Sequence, residues 1–327
     1  MSEEVKQDGQ SCAFSPHKSK IGGQALIEGV MMKGAYKGAM ACRLPDGTID
    51  VETWDLKGGK EKPWYRRIPL IRGVYSFIFS MVDGYKCLMK SAEKQMTEEE
   101  IAEEEENPSK LDKWLNDHFT EKTVEAIMSV VMVLSVGVAL ALFLFLPKWI
   151  VGLVKPLCVN RIVRSFAEGV VKIVVFIAYM AFMGVMKETR RTYEYHGAEH
   201  KTIACFEAGL PLTVENVRKQ VRLHPRCGTS FIFLTLFISI LVMCLVPFTV
   251  VWQRFLCSFI LLPVTVGVSF EAIQFAGRSN SLFAKIFSWP GLQLQRITTR
   301  EPDASQIECA IAALTPCIPE NMEDDNW

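Results

Sequence analysis

Residues 124–146 read VEAIMSVVMVLSVGVALALFLFL. Apart from Glu125 near its start, the stretch is apolar or small. A run of roughly 20 such residues is what a helix needs to cross a hydrocarbon core. The stretch sets the fold class: an α-helical integral membrane protein. Three further runs, 169–186, 231–252 and 255–276, have the same character. Four transmembrane helices are therefore expected, within a membrane domain over 123–276. Pro247 and Pro263 are expected to kink the last two, and Lys172 to snorkel from one end of the second.

Around this domain the chain changes texture several times. Residues 1–20 are polar and lack an apolar core, so they read as a disordered tail and not as a signal peptide. Over 21–66, short apolar runs alternate with glycine, and Pro45-Asp46-Gly47 is a turn signal, which together predict a small β-rich cytosolic unit. Residues 67–95 are apolar but carry Arg72 and Asp83. They read either as an amphipathic or re-entrant helix at the membrane surface or as an ordinary core helix. An acidic linker follows over 96–122. After the spans, 277–327 reads as a soluble tail with a helix starting at "PDASQIECAIAAL", where Asp303 or Ser305 is available as the N-cap.

Charge and cysteine usage narrow the classes. The 327 residues are 50% hydrophobic and carry 36 basic and 36 acidic side chains. Such a balance argues against nucleic acid as a partner. The ten cysteines show no CxxC pair and no regular spacing, which reads as a reduced compartment without a disulfide framework. The connection 147–167 holds Lys148, Lys155, Arg161 and Arg164. The connection 187–230 holds eight basic residues, and the turn between the third and fourth runs holds only Arg254. By the positive-inside rule both termini and the 187–230 loop are cytoplasmic.

That loop carries the chemistry. "YEYHGAEHKTIACFEAG", residues 193–209, places His196, Glu199 and His200 at i, i+3 and i+4, one face of a helix. H-x-x-E-H is the spacing of a class of zinc peptidases. Two imidazoles would hold Zn and Glu199 would serve as base. Gly197 weakens the helix by about 1 kcal/mol relative to alanine. "RLHPRCGTSF", residues 222–231, adds His224 and Cys227 just before the third run, giving a four-donor metal set. An imidazole at a membrane surface also caps carbonyls or pairs with carboxylates, so the two readings stand side by side. Glu271, inside the fourth run, Glu28, in "GGQALIEGVMMKG", and Tyr195 are candidates to steady the ligands.

The strings "GGQALIEGVMMKG", "TYEYHGAEHKTIACFEAG", "HPRCGTSF" and "PGLQLQRITTREPDASQIECAIAAL" give the chain its resemblance to the bacterial DUF1385 family of membrane proteins. It extends from about residue 20 to 315. The resemblance implies a metal-dependent protein of the bacterial cytoplasmic membrane, with His196, Glu199, His200, His224 and Cys227 as the matching polar positions. It implies no reaction. Three functions remain: a membrane metal hydrolase acting on peptide or lipid, a scaffold or assembly factor for other membrane proteins with a structural metal, and an ion or small-molecule transporter using Glu271.

Overall fold

The computed structural model describes residues 16–56, 68–96, 121–154, 160–278 and 281–325. The acidic linker lies almost wholly outside them, as do residues 1–15 of the expected tail.

Four strands, β1 (Gly22–Leu26), β2 (Gly29–Lys33), β3 (Lys37–Arg43) and β4 (Ile49–Asp55), form an antiparallel meander in the order 1-2-3-4. The Pro45–Gly47 signal is the β3–β4 turn: Gly47 has φ 87°, and Asp46 accepts from the Thr48 amide at 2.8 Å. β2 and β3 read as unbroken apolar runs because both sheet faces are covered. Val30, Met32, Ala39 and Ala41 pack with two helices, α5 (Lys187–Glu207) and α11 (Ala304–Leu314). The alternate residues Met31, Met40 and Cys42 turn to the other face, towards Leu26 and Cys87.

Cys87 belongs to α1 (Ile71–Glu93), which merges the two readings of 67–95. Its Gly84, Cys87 and Ser91 are buried, with Gly84 tight against Gln24 of β1. Ile78, Met81, Val82 and Tyr85 on its other side are exposed. A contiguous exposed apolar stripe of this kind suits a membrane surface. α11 begins at Asp303 with a capping box to Gln306, one of the two caps expected. Residues 277–327 are thus less a tail than a structural layer, and α10 (Leu282–Thr298) precedes α11 within it. Likewise, residues 16–20 are not free. His17 Nε2 lies 2.8 Å from Asp325, and the Ser19 amide donates to Glu207 at 2.8 Å.

Among the described residues, three helical stretches are long and apolar enough to cross a membrane, or four if a bent pair is counted as one span. The first, Leu134–Leu153, runs through α2 (Glu121–Leu140), a π turn (Ala141–Phe145) and α3 (Leu146–Leu153). It extends further toward the C-terminus than the 124–146 run suggested. The second is α4 (Arg161–Met183) and the third α7 (Gly228–Leu245). α7 stops before Pro247, so that proline follows the helix and does not kink it. The bent pair is α8 (Val251–Ile260) and α9 (Leu262–Arg278), set at 52° just before Pro263, where a missing amide favours a break.

The expected snorkelling of Lys172 does not occur. Its side chain is buried, with Nζ 3.2 Å from the Ser239 hydroxyl. Lys148, Arg164 and Arg254, counted above as loop charges, are buried too. The described chain divides into two compact units. One comprises 1–95, 179–235 and 263–327; the other comprises 96–178 and 236–262.

Candidate metal centre

α5 is helical through Gly197, despite the glycine. The reason is steric: a Cβ there would run into the Arg300 carbonyl oxygen, where the chain leaving α10 crosses the helix. The Arg300 amide donates to the Tyr193 carbonyl at 2.8 Å, which fixes that crossing. His196, Glu199 and His200 consequently share a face, as the spacing required. Cys227 arrives from the residue before α7, and its sulfur accepts from the Thr229 amide at 3.4 Å. Amides at a helix start favour a thiolate.

Ligand-capable atoms of His196, His200 and Cys227 all lie within 4.8 Å of one another. Each imidazole is oriented by a backbone carbonyl. Nδ1 of His196 donates to Thr298 at 2.9 Å, and Nδ1 of His200 donates to Arg222 at 2.5 Å. Both rings therefore turn Nε2 inward. That of His196 is 3.2 Å from Cys227 Sγ, and that of His200 is buried with no hydrogen-bond partner. Nδ1 bound to a carbonyl with Nε2 left for an ion is how proteins hold ligand histidines.

The electrostatics agree. Burial would push the Cys227 thiol up, but His200 and His196 beside it hold it well below its ordinary value. Burial pulls the other way on His196, and the Cys227 sulfur outweighs it, leaving the ring pushed up to about 9. Glu199 is buried next to all three, and burial raises its pKa. The Gly23 backbone beside it favours the charged form, and Oε2 is buried without a partner. A Cβ on Gly23 would come within 3.1 Å of the Glu199 carboxyl carbon, so the glycine of "GGQ" lets β1 approach the site.

His224 stands apart from this three-donor group. Gln295 clamps its backbone, accepting from its amide at 2.8 Å and donating to its carbonyl at 2.7 Å. Its Nε2 lies 3.3 Å from Glu207 Oε2, and its ring is 5.8 Å from that of His200. Burial would push Glu207 up, but His224 and Arg226 hold its carboxylate below the ordinary range.

The candidate steadying residues also point elsewhere. Glu271 accepts from Arg72 Nε at 2.7 Å, tying α9 to α1. Glu28, at the β1–β2 turn with φ 49°, accepts from Arg191 at 2.5 Å and from the Tyr195 hydroxyl at 3.2 Å. Glu271 thus joins two helices and Glu28 joins the sheet to α5, which leaves the ligands to other supports. Those supports are the Thr298 and Arg222 carbonyls, backbone atoms that carry no residue-type signal. Gln295 instead clamps His224. Gln295 was visible in "PGLQLQRITTREPDASQIECAIAAL", but only as part of a resemblance.

A family model described as "Protein of unknown function (DUF1385)" matches residues 68–320. The chain is 35% identical over 312 residues to "Uncharacterized protein YqhQ" of Bacillus subtilis (strain 168), covering 93% of this chain and 95% of that protein. No solved structure matches.

Proposed function

The chain belongs to the DUF1385 family, and on that footing we propose a metal-dependent hydrolase of the cytoplasmic membrane, with His196, His200 and Cys227 as the ligands. Two imidazoles and a thiolate match zinc best among the common ions. One observation carries the reading. Nε2 of His200 and Oε2 of Glu199 are buried without partners beside the low-pKa sulfur of Cys227. Buried polar atoms are normally satisfied, so two such atoms in one place call for a missing group.

When bound, zinc polarises a carbonyl or phosphoryl oxygen and acidifies water. The remaining work falls to this chain. Thr298 and Arg222 hold the two imidazoles in one orientation. Three protein donors leave a coordination position for water or substrate. Glu199, its pKa raised by burial, takes a proton from water at Oε2 and delivers it to the leaving group. The substrate class is a peptide or lipid carbonyl or phosphoryl group at a membrane surface.

A structural role has its own support. Glu199, His200 and Cys227 are 4%, 1% and 8% exposed, closed in more than open catalytic sites usually are. On that reading the ion staples α5 to the start of α7 and supports a scaffold for other membrane proteins.

Metal analysis of purified wild type against His200→Ala and Glu199→Gln separates these. Hydrolysis predicts about one zinc per wild-type chain, retained in Glu199→Gln with function lost in cells. A Glu199→Gln variant that still functions fully leaves the staple. Wild type without stoichiometric metal removes both.

A further inference from the structure

The second unit encloses a polar cluster of the opposite kind. Arg254 of α8 is fully buried, and its guanidinium donates to both oxygens of Glu168 on α4, at 2.9 and 2.9 Å, and to the Ser165 hydroxyl at 2.8 Å. Arg164 donates to the same carboxylate at 3.0 Å and also to the Thr249 carbonyl. Two buried lysines complete the group. Lys148 Nζ donates to the Leu144 carbonyl at 2.8 Å, and Lys172 Nζ meets the Ser239 hydroxyl at 3.2 Å. Lys148 lies within electrostatic range of Lys172, Glu168 and Arg254. Among the described residues, four cationic side chains therefore share one carboxylate.

Proton loss does not remove the imbalance. A guanidinium stays charged at any ordinary pH. Even with both lysines neutral, two guanidiniums face one carboxylate, Glu168, among the described residues. An uncompensated charge inside a largely apolar helical unit is strongly unfavourable, and such residues mark ligand or ion sites by default. Each ammonium has three N–H donors, and its contacts above use one. The π turn at Ala141–Phe145, just before Lys148, is a feature that recurs at functional sites.

We propose that Lys148, Lys172, Arg164 and Arg254 bind a phosphate-class oxyanion, supplied either by a phospholipid headgroup or by free phosphate. Guanidinium forks and ammonium point charges are the donors that phosphate oxygens accept best. Glu168 holds the two guanidiniums together, and the lysines add the charge that the anion balances. The site is independent of the His196 group and of the reaction proposed for it.

The test uses the full chain in a phosphate-free maltoside detergent. Inorganic phosphate and phosphatidylglycerol are titrated separately, and the thermal midpoint and the fluorescence of the chain's tryptophans are followed, for wild type, Lys148→Met and Lys172→Met. We expect saturable stabilisation of wild type, weakened at least about tenfold in apparent affinity in each variant. A response to phosphatidylglycerol alone identifies a headgroup; a response to inorganic phosphate identifies the free anion. No saturable response in wild type, or an unchanged response in the variants, overturns the site. Should a methionine variant fail to fold, Lys172→Gln replaces it under the same criteria.

Discussion

At the metal centre of the first unit, Nε2 of His200 and Oε2 of Glu199 are buried without partners, next to the sulfur of Cys227. In the second, two lysines and two arginines gather around one carboxylate among the described residues. Both regions are buried, and the second carries excess positive charge among its described side chains. The sign of what is missing differs, and with it the chemistry of whatever completes each region. One calls for a cation, the other for an anion. The lesson is that a buried polar cluster is best read by what it lacks.

The comparison breaks most readily at Glu168. Glu168→Leu leaves two guanidiniums buried with no carboxylate and should cost about 3–5 kcal/mol in chemical unfolding of the detergent-solubilised chain. A much smaller loss would mean that other groups already neutralise the cluster. In the first unit, Cys227→Ser should weaken metal binding by more than about a hundredfold. The cobalt(II)-loaded variant should also lack thiolate-to-metal charge-transfer absorption.

Gly197→Ala tests the frame that holds the lone pairs inward. Its new methyl meets the Arg300 carbonyl, and the thermal midpoint should fall by the equivalent of about 1–3 kcal/mol.

The pH dependence follows from His196, raised from 6.5 to about 9. In the metal-free fold, that proton adds stability that is fully present below 6.5 and lost as pH rises through about 9. Metal must displace the proton, so affinity rises with pH through the same window, by up to about tenfold per unit. Calorimetry in buffers of different ionisation enthalpy should count about one proton released. The smallest effect is expected at the α11 cap, where Asp303→Ala should cost about 1 kcal/mol without altering metal content.

How much of this was legible depends on the range of each interaction. Three residues on one helical face are a local pattern, so His196, Glu199 and His200 could be read from spacing. Cys227 could be read from its position at a helix start. His224 looked equally eligible, and its backbone clamp to Gln295, across some seventy positions, is what turns it to Glu207. Glu271 looked functional because a lone carboxylate in an apolar run is costly; its partner Arg72 lies some two hundred positions away, in a helix read only as amphipathic, re-entrant or core. Gly197 illustrates the reverse. Propensity counts it against the helix, yet the close passage of another carbonyl makes the missing side chain a requirement. The apolar spans were visible because length and hydropathy suffice for them. Lys148, Arg164 and Arg254 were counted as loop residues and Lys172 as a snorkelling one, because burial is not written in a hydropathy profile.

The first unit is assembled from three separated stretches of chain, and its sheet is capped by α11, near the C-terminal end. The Lys20 amide donates to the Asp325 carbonyl at 2.8 Å, joining residues 305 positions apart. Non-local closure of this kind is slow. Throughout synthesis the sheet face bearing Val30, Met32, Ala39 and Ala41 awaits the helix that will cover it. A nascent chain halted before residue 304 would expose that face, making truncated products natural clients of chaperones and proteases.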